Sequence, residues 1–143
     1  MTVIKSQLTE LGVYSKSEFC YNGEEAIKLT LDIITKAVET ADQESIHPVC
    51  LMLLDFQMPR KNGIQVVEAV RAFVQLMNSK QSVIVHEPIF VFLTAFSTKQ
   101  FYNHIKRLGI EHIYEKPVQM SQLEEIIQDV KSLTVFKIKS EEN

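Results

Sequence analysis

The chain has 143 residues, 45% of them hydrophobic and 23% charged, with a formal net charge of -3. That length suits one domain. The composition excludes a disordered chain, which needs few apolar residues and a high net charge, and it excludes collagen-like and low-complexity chains as well. The mild negative balance argues against a nucleic-acid partner, and no run approaches the roughly 18 apolar residues that span a bilayer.

Val3, Ile4, Leu8 and Leu11 recur at helical spacing and stop at Gly12, which predicts a short helix closed by glycine. Phe19-Cys20-Tyr21 reads as a short strand. Asn22-Gly23 turns the chain, and Glu24 and Glu25 favour a helix start through the dipole. Ala26, Ile27, Leu29, Ile33, Ile34, Ala37 and Val38 carry that helix to about Thr40, and the polar segment 41–47 reads as a loop. Val49-Cys50-Leu51-Met52-Leu53-Leu54 is a continuous apolar run, the pattern of a strand buried on both faces.

Asn62-Gly63 leads into a helix with Val67, Val70, Val74 and Met77 on one stripe. Val83-Ile84-Val85 reads as a local extension, and Ile89-Phe90-Val91-Phe92-Leu93 as a second fully buried strand. Phe101, Ile105 and Leu108 mark a helix ending at Gly109, and Ile113-Tyr114 a brief strand. Ser121-x-x-Glu124 reads as a capping box for a last helix bearing Leu123, Ile126, Ile127 and Val130. Four strands alternating with helices, their runs doubly buried, imply an α/β fold: a doubly wound parallel sheet with helices on both faces. Cys20 and Cys50 cannot supply a disulfide framework or a four-ligand zinc site. They are expected as buried free thiols in a reducing, intracellular compartment. No signal peptide is read in the sequence. His47, His86, His104 and His112 show no metal-ligand spacing and are expected on the surface or in loops.

In open parallel sheets the functional crevice lies beyond the carboxyl ends of the strands. Asp55 follows Leu54, Thr94 follows Leu93, and Lys116 follows Tyr114-Glu115. Each alone is ordinary: Asp favours turns, Thr favours strands, and Lys is solvated. Together they suit phosphoryl transfer. A carboxylate can attack phosphorus, a hydroxyl can bond an equatorial oxygen, and an ammonium can neutralise developing charge.

The pattern D-x-x-M-P-x-x-x-G from Asp55 to Gly63, followed by Thr94-Ala95 and Lys116-Pro117, resembles the receiver domain of two-component response regulators. The resemblance runs from about Val3 to Lys131. It implies a flavodoxin-like sheet of order 2-1-3-4-5, with residues 1–132 as the receiver and 133–143 as a tail. It implies Asp55 as phosphoacceptor, Thr94 as switch hydroxyl and Lys116 as phosphate-pairing lysine. It further implies Mg2+ held by Asp55 and the Gln57 carbonyl, and a cis Lys116-Pro117 bond. The implied partner is a histidine kinase or a histidine phosphotransfer protein. The implied setting is cytoplasmic, with the chain a relay or the receiver of a hybrid histidine kinase, and not itself an enzyme.

The chain departs from that family in three ways. The usual first strand and its acidic pair, which position Mg2+, are missing, so Mg2+ affinity is expected to fall. Segments around 38–48 and 78–87 are longer than in a compact receiver. Ile113 stands where the family has an aromatic residue, with Tyr114 predicted on the opposite face. The simplest reading is that Met1 is an internal start or fragment boundary of a longer protein; the less favoured alternative, a strand from the tail at 133–139 filling the vacant slot, is opposed by Lys137 and Lys139. The competing function is a non-phosphorylatable receiver serving as an interaction module. A phosphoaspartate hydrolase fares worse, because Gln57 stands where such enzymes carry a second Asp.

Overall fold

The computed structural model describes residues 18, 20, 22–55, 62–95, 99–110 and 112–129. The helix predicted over 3–11, the 19–21 strand apart from Cys20, and the tail at 133–143 lie outside these residues, as does Gln57. The described helices are α1 (Gly23–Glu39), α2 (Gly63–Lys80), α3 (Lys99–Arg107) and α4 over 120–129. The strands are β1 (Ser45–Ile46), β2 (Leu51–Asp55), β3 (Ile84–Val85), β4 (Ile89–Thr94) and β5 (His112–Glu115).

Helix starts follow local side-chain chemistry. Asn22 caps α1 by accepting the Glu25 N–H at 2.8 Å, and both acids of the first turn complement the dipole there. A full capping box opens α2: Asn62 accepts from the Gln65 N–H, and the Gln65 side chain accepts from the Asn62 N–H, both at 2.9 Å. At α4 the expected Ser121–Glu124 box is not the one used. The helix begins at residue 120, and the Gln122 side chain instead accepts the Gln119 N–H at 2.9 Å. Glutamine reaches back one turn as glutamate does, so this half of the box forms two residues earlier. Gly109 closes the α3 segment with φ 77, a left-handed turn that suits glycine.

Strands β2, β4 and β5 form a parallel sheet in the order β2-β4-β5, with Asp55 opposite Leu93 and Thr94 opposite Glu115. Alternation along β4 divides the core. Phe90 and Phe92 join a large cluster with Ala26 and Ile34 of α1, Val66, Val67, Val70 and Val74 of α2, and Ile105 of α3. Val91 and Leu93 join Val118 and Ile126 on the other face. Helices therefore cover both faces, as the sequence predicts. Strand β2 is less enclosed than expected: Met52 and Leu54 are buried, while Leu51 and Leu53 are half-buried. Ile113 packs against the first cluster and Tyr114 against the second, the opposed placement expected of adjacent strand residues.

Two findings correct the sequence reading. Residues 41–47 are not all loop, because β1 pairs in parallel with β3, Ser45 opposite Ile84 and Ile46 opposite Val85. The two longer segments thus build a second, two-stranded sheet. It is lodged in the core by Ile46 and Val85, both buried. It extends β2 and β4 backwards, and the ladders are broken where Pro48 and Pro88 offer no N–H. Residues 47–50 on one strand face 86–88 on the other, so one strand carries an extra residue, as in a bulge. The other edge of β3 is held by a side chain: Asn78 accepts the Val85 N–H at 2.8 Å and donates to its carbonyl at 3.1 Å. The second correction concerns Cys20 and Cys50, which are free thiols as expected but half-buried rather than buried.

Candidate functional site

The three chemistry-bearing residues arrive on three neighbouring strands at one edge of the sheet. Asp55 ends β2, Thr94 ends β4, and Lys116 follows β5. The β4–β5 ladder continues one bond further, with the Lys116 N–H donating to the Thr94 carbonyl at 2.6 Å. This bond sets the direction in which the Lys116 side chain leaves the sheet. The Lys116 ammonium then donates to Oδ2 of Asp55 and forms an ion pair with it. The two side chains are 40% and 39% exposed, so the pair sits at an open sheet edge, accessible to an incoming group.

Thr94 is buried, with 6% of its surface exposed, and Ala95 beside it is exposed. The Lys116-Pro117 bond is cis, as the resemblance implies. Gly63, at the head of α2, is packed so closely that a Cβ there would stand 2.3 Å from Cε1 of Phe92. The helix that follows the Asp55 loop is therefore seated directly on β4.

Phosphoryl groups are bound by anion-compatible donors and by metal ions. The described residues bring an ammonium, from Lys116, beside Asp55, and a threonine, Thr94, onto the strand between them. Provision for Mg2+ is thin. Among the described residues, no three histidine, cysteine or acidic side chains gather to hold a metal ion. Asp55 offers a single carboxylate, already engaged by Lys116, and Mg2+ requires near-octahedral oxygen coordination. The described residues therefore do not form a Mg2+ cage, and Gln57 lies outside them.

Sequence reasoning missed two associations. Arg71 of α2 donates to the Leu108 carbonyl, pairs with Glu87 at 3.4 Å, and lies 5.4 Å above the Phe90 ring. It borders a cleft of about 310 Å3 with His112 and Gly109 at the amino-terminal edge of the sheet, opposite Asp55. The imidazoles of His47 and His86 stack with centroids 4.3 Å apart and planes 10° apart. The shared flanks of the two apolar runs, His47-Pro48 and His86-Glu87-Pro88, were the available signal for the second pair.

The fold is that of response-regulator receiver domains. The receiver domain of the histidine kinase CKI1 from Arabidopsis thaliana, complexed with Mg2+ and BeF3-, matches with a TM-score of 0.58 and 19% identity over 92% of this chain and 85% of that one. A signal receiver domain of a putative LuxO repressor protein from Vibrio parahaemolyticus matches with a TM-score of 0.56 and 17% identity, over 95% and 85%. The bacteriophytochrome response regulator AtBRR matches with a TM-score of 0.50 and 21% identity, over 91% and 86%. No protein-family model matches the sequence, and no curated protein does.

Proposed function

We propose that residues 1–132 are a phosphoacceptor receiver in a His-to-Asp phosphorelay, and that Asp55 is the phosphorylated residue. The observation that carries this reading is the Asp55–Lys116 pair at the carboxyl edge of the sheet, with Thr94 on the strand between them. An Asp55 oxygen forms the new O–P bond as the P–N bond of a donor phosphohistidine breaks, and the departing imidazole takes up a proton. Lys116 moves from the carboxylate to the phosphoryl oxygens, where its charge is most needed. Thr94 supplies a hydroxyl to the same group.

The donor on this reading is a histidine kinase or a histidine phosphotransfer protein, and the chain is a cytoplasmic signalling domain, free or within a hybrid kinase. Among the described residues no helix is long and apolar enough to cross a membrane. Incubation with acetyl phosphate and Mg2+ tests the proposal. The wild-type chain is expected to gain one hydroxylamine-sensitive phosphoryl group, and Asp55→Asn none. A wild-type chain that stays unlabelled at high Mg2+ would leave the second reading, an interaction module without phosphorylation. The thin acidic provision around Asp55 is what favours that alternative.

A further inference from the structure

The paired histidines are independent of the phosphoryl site. They occupy the register position just beyond Ile46 and Val85, where the β1–β3 ladder ends, and the His86 N–H donates to the Ile46 carbonyl at 3.0 Å. That bond anchors the His86 backbone to β1. His86 is exposed and His47 half-buried, so a hydrated ion has access to the pair from solvent.

We propose that His47 and His86 form a two-imidazole site for a borderline divalent transition-metal cation, of the Zn2+, Ni2+ and Cu2+ class. Imidazole nitrogen suits these ions and does not suit Mg2+, so this site and the phosphoryl site select different metals. Metal–nitrogen bonds near 2.0–2.1 Å in tetrahedral geometry need the two nitrogens about 3.3 Å apart. The rings already stand 4.3 Å apart and nearly parallel. The nitrogen lone pairs lie in the ring planes and run side by side in this stack, so binding one ion requires both rings to turn out of it about χ1 and χ2 until their nitrogens converge.

Among the described residues, no third histidine, cysteine or acidic side chain gathers with the pair. Glu87 is paired with Arg71, and the Cys50 thiol donates to the His47 carbonyl at 3.7 Å. The two imidazoles supply two positions, and water or another donor group completes the coordination. A bound ion would staple β1 to β3 across 39 residues of sequence, and would stabilise the folded chain in proportion to occupancy.

The test uses the full chain without a histidine tag. Calorimetric titration with Zn2+ is expected to show one saturable site per chain with a parallel rise in Tm. His86→Ala, at an exposed position, is expected to weaken binding by roughly tenfold or more while leaving Asp55 labelling unchanged. In the wild-type chain, substoichiometric Cu2+ should broaden the ring proton signals of His47 and His86 before those of His104 and His112. This second measurement needs no variant to fold. Absence of saturable Zn2+ binding, full affinity in His86→Ala, or earlier broadening at His104 or His112 would each overturn the assignment.

Discussion

At the scale of single residues, Lys116 separates function from stability. Its pair with Asp55 is about two-fifths exposed on each side, and such pairs contribute roughly 0–1 kcal/mol. Lys116→Ala should therefore leave the urea midpoint nearly unchanged. The rate of Asp55 phosphorylation should fall by about two orders of magnitude, in line with the loss of one preorganised charge from a transition state. Parallel urea melts and acetyl phosphate time courses check both halves. Tyr114 gives a pH prediction. Desolvation first, then Glu125 and Asp129, raise its pKa above the usual value of about 10. Above the unfolded pKa the folded chain keeps a proton that the unfolded chain has lost. Stability is therefore full below about pH 10 and declines as pH rises from there towards the folded pKa. Tyr114→Phe should flatten that decline in urea melts from pH 9 to 11. Cys20, raised above about 9 by desolvation and then by Glu25 and Glu18, contributes an earlier decline of the same sign. Cys20→Ser serves as the background for the comparison.

At the scale of elements, α2 is seated closely on β4 at Gly63. Gly63→Ala places a methyl 2.3 Å from Cε1 and 3.0 Å from Cδ1 of Phe92, a ring with no exposed surface. Overpacking of this kind costs about 1–3 kcal/mol. Because the clash has one partner, Phe92→Leu should recover part of the loss in the double variant, and a double-mutant cycle in urea should report that coupling. The sequence made the existence of α1, α2, α3 and the three main strands legible, because continuous apolar runs and helical stripes encode burial directly. It also placed Asp55, Thr94 and Lys116 at one sheet edge, since the crevice rule needs only strand order and strand ends. It did not reveal the β1–β3 pair. Ser45-Ile46 is too short to show a period, and its stability depends on a partner far along the chain and on the Asn78 amide. The cap at Gln119 was hidden for a similar reason: Ser121–Glu124 fits the local rule better than Gln119–Gln122, and the backbone path overrides it.

At the scale of the whole molecule, the two sheets are joined but not continuous, and this predicts unequal stability. Strand β4 is central, paired on both sides, and buried throughout beyond its first residue. The β1–β3 ladder is two residues long and is interrupted from the main sheet at Pro48 and Pro88. Its flanking hydrogen bonds run from the Ile84 N–H to the Glu44 carbonyl at 2.8 Å and from the His86 N–H to the Ile46 carbonyl at 3.0 Å, and the Val85 N–H is held by Asn78. Units with so short a ladder open without global unfolding. Amide exchange at Ile84, Val85 and His86 should accordingly be faster than at Val91, Phe92 and Leu93. Asn78→Ala removes both bonds to Val85, a loss of about 1–2 kcal/mol that corresponds to roughly 5–30-fold faster exchange there. If the small sheet opens as its own unit, the slowest amides of β4 should change by much less than Val85. Equal acceleration at Val85 and Phe92 would mean that Ile46 and Val85, buried in the common core, bind the two sheets into one cooperative unit despite the prolines.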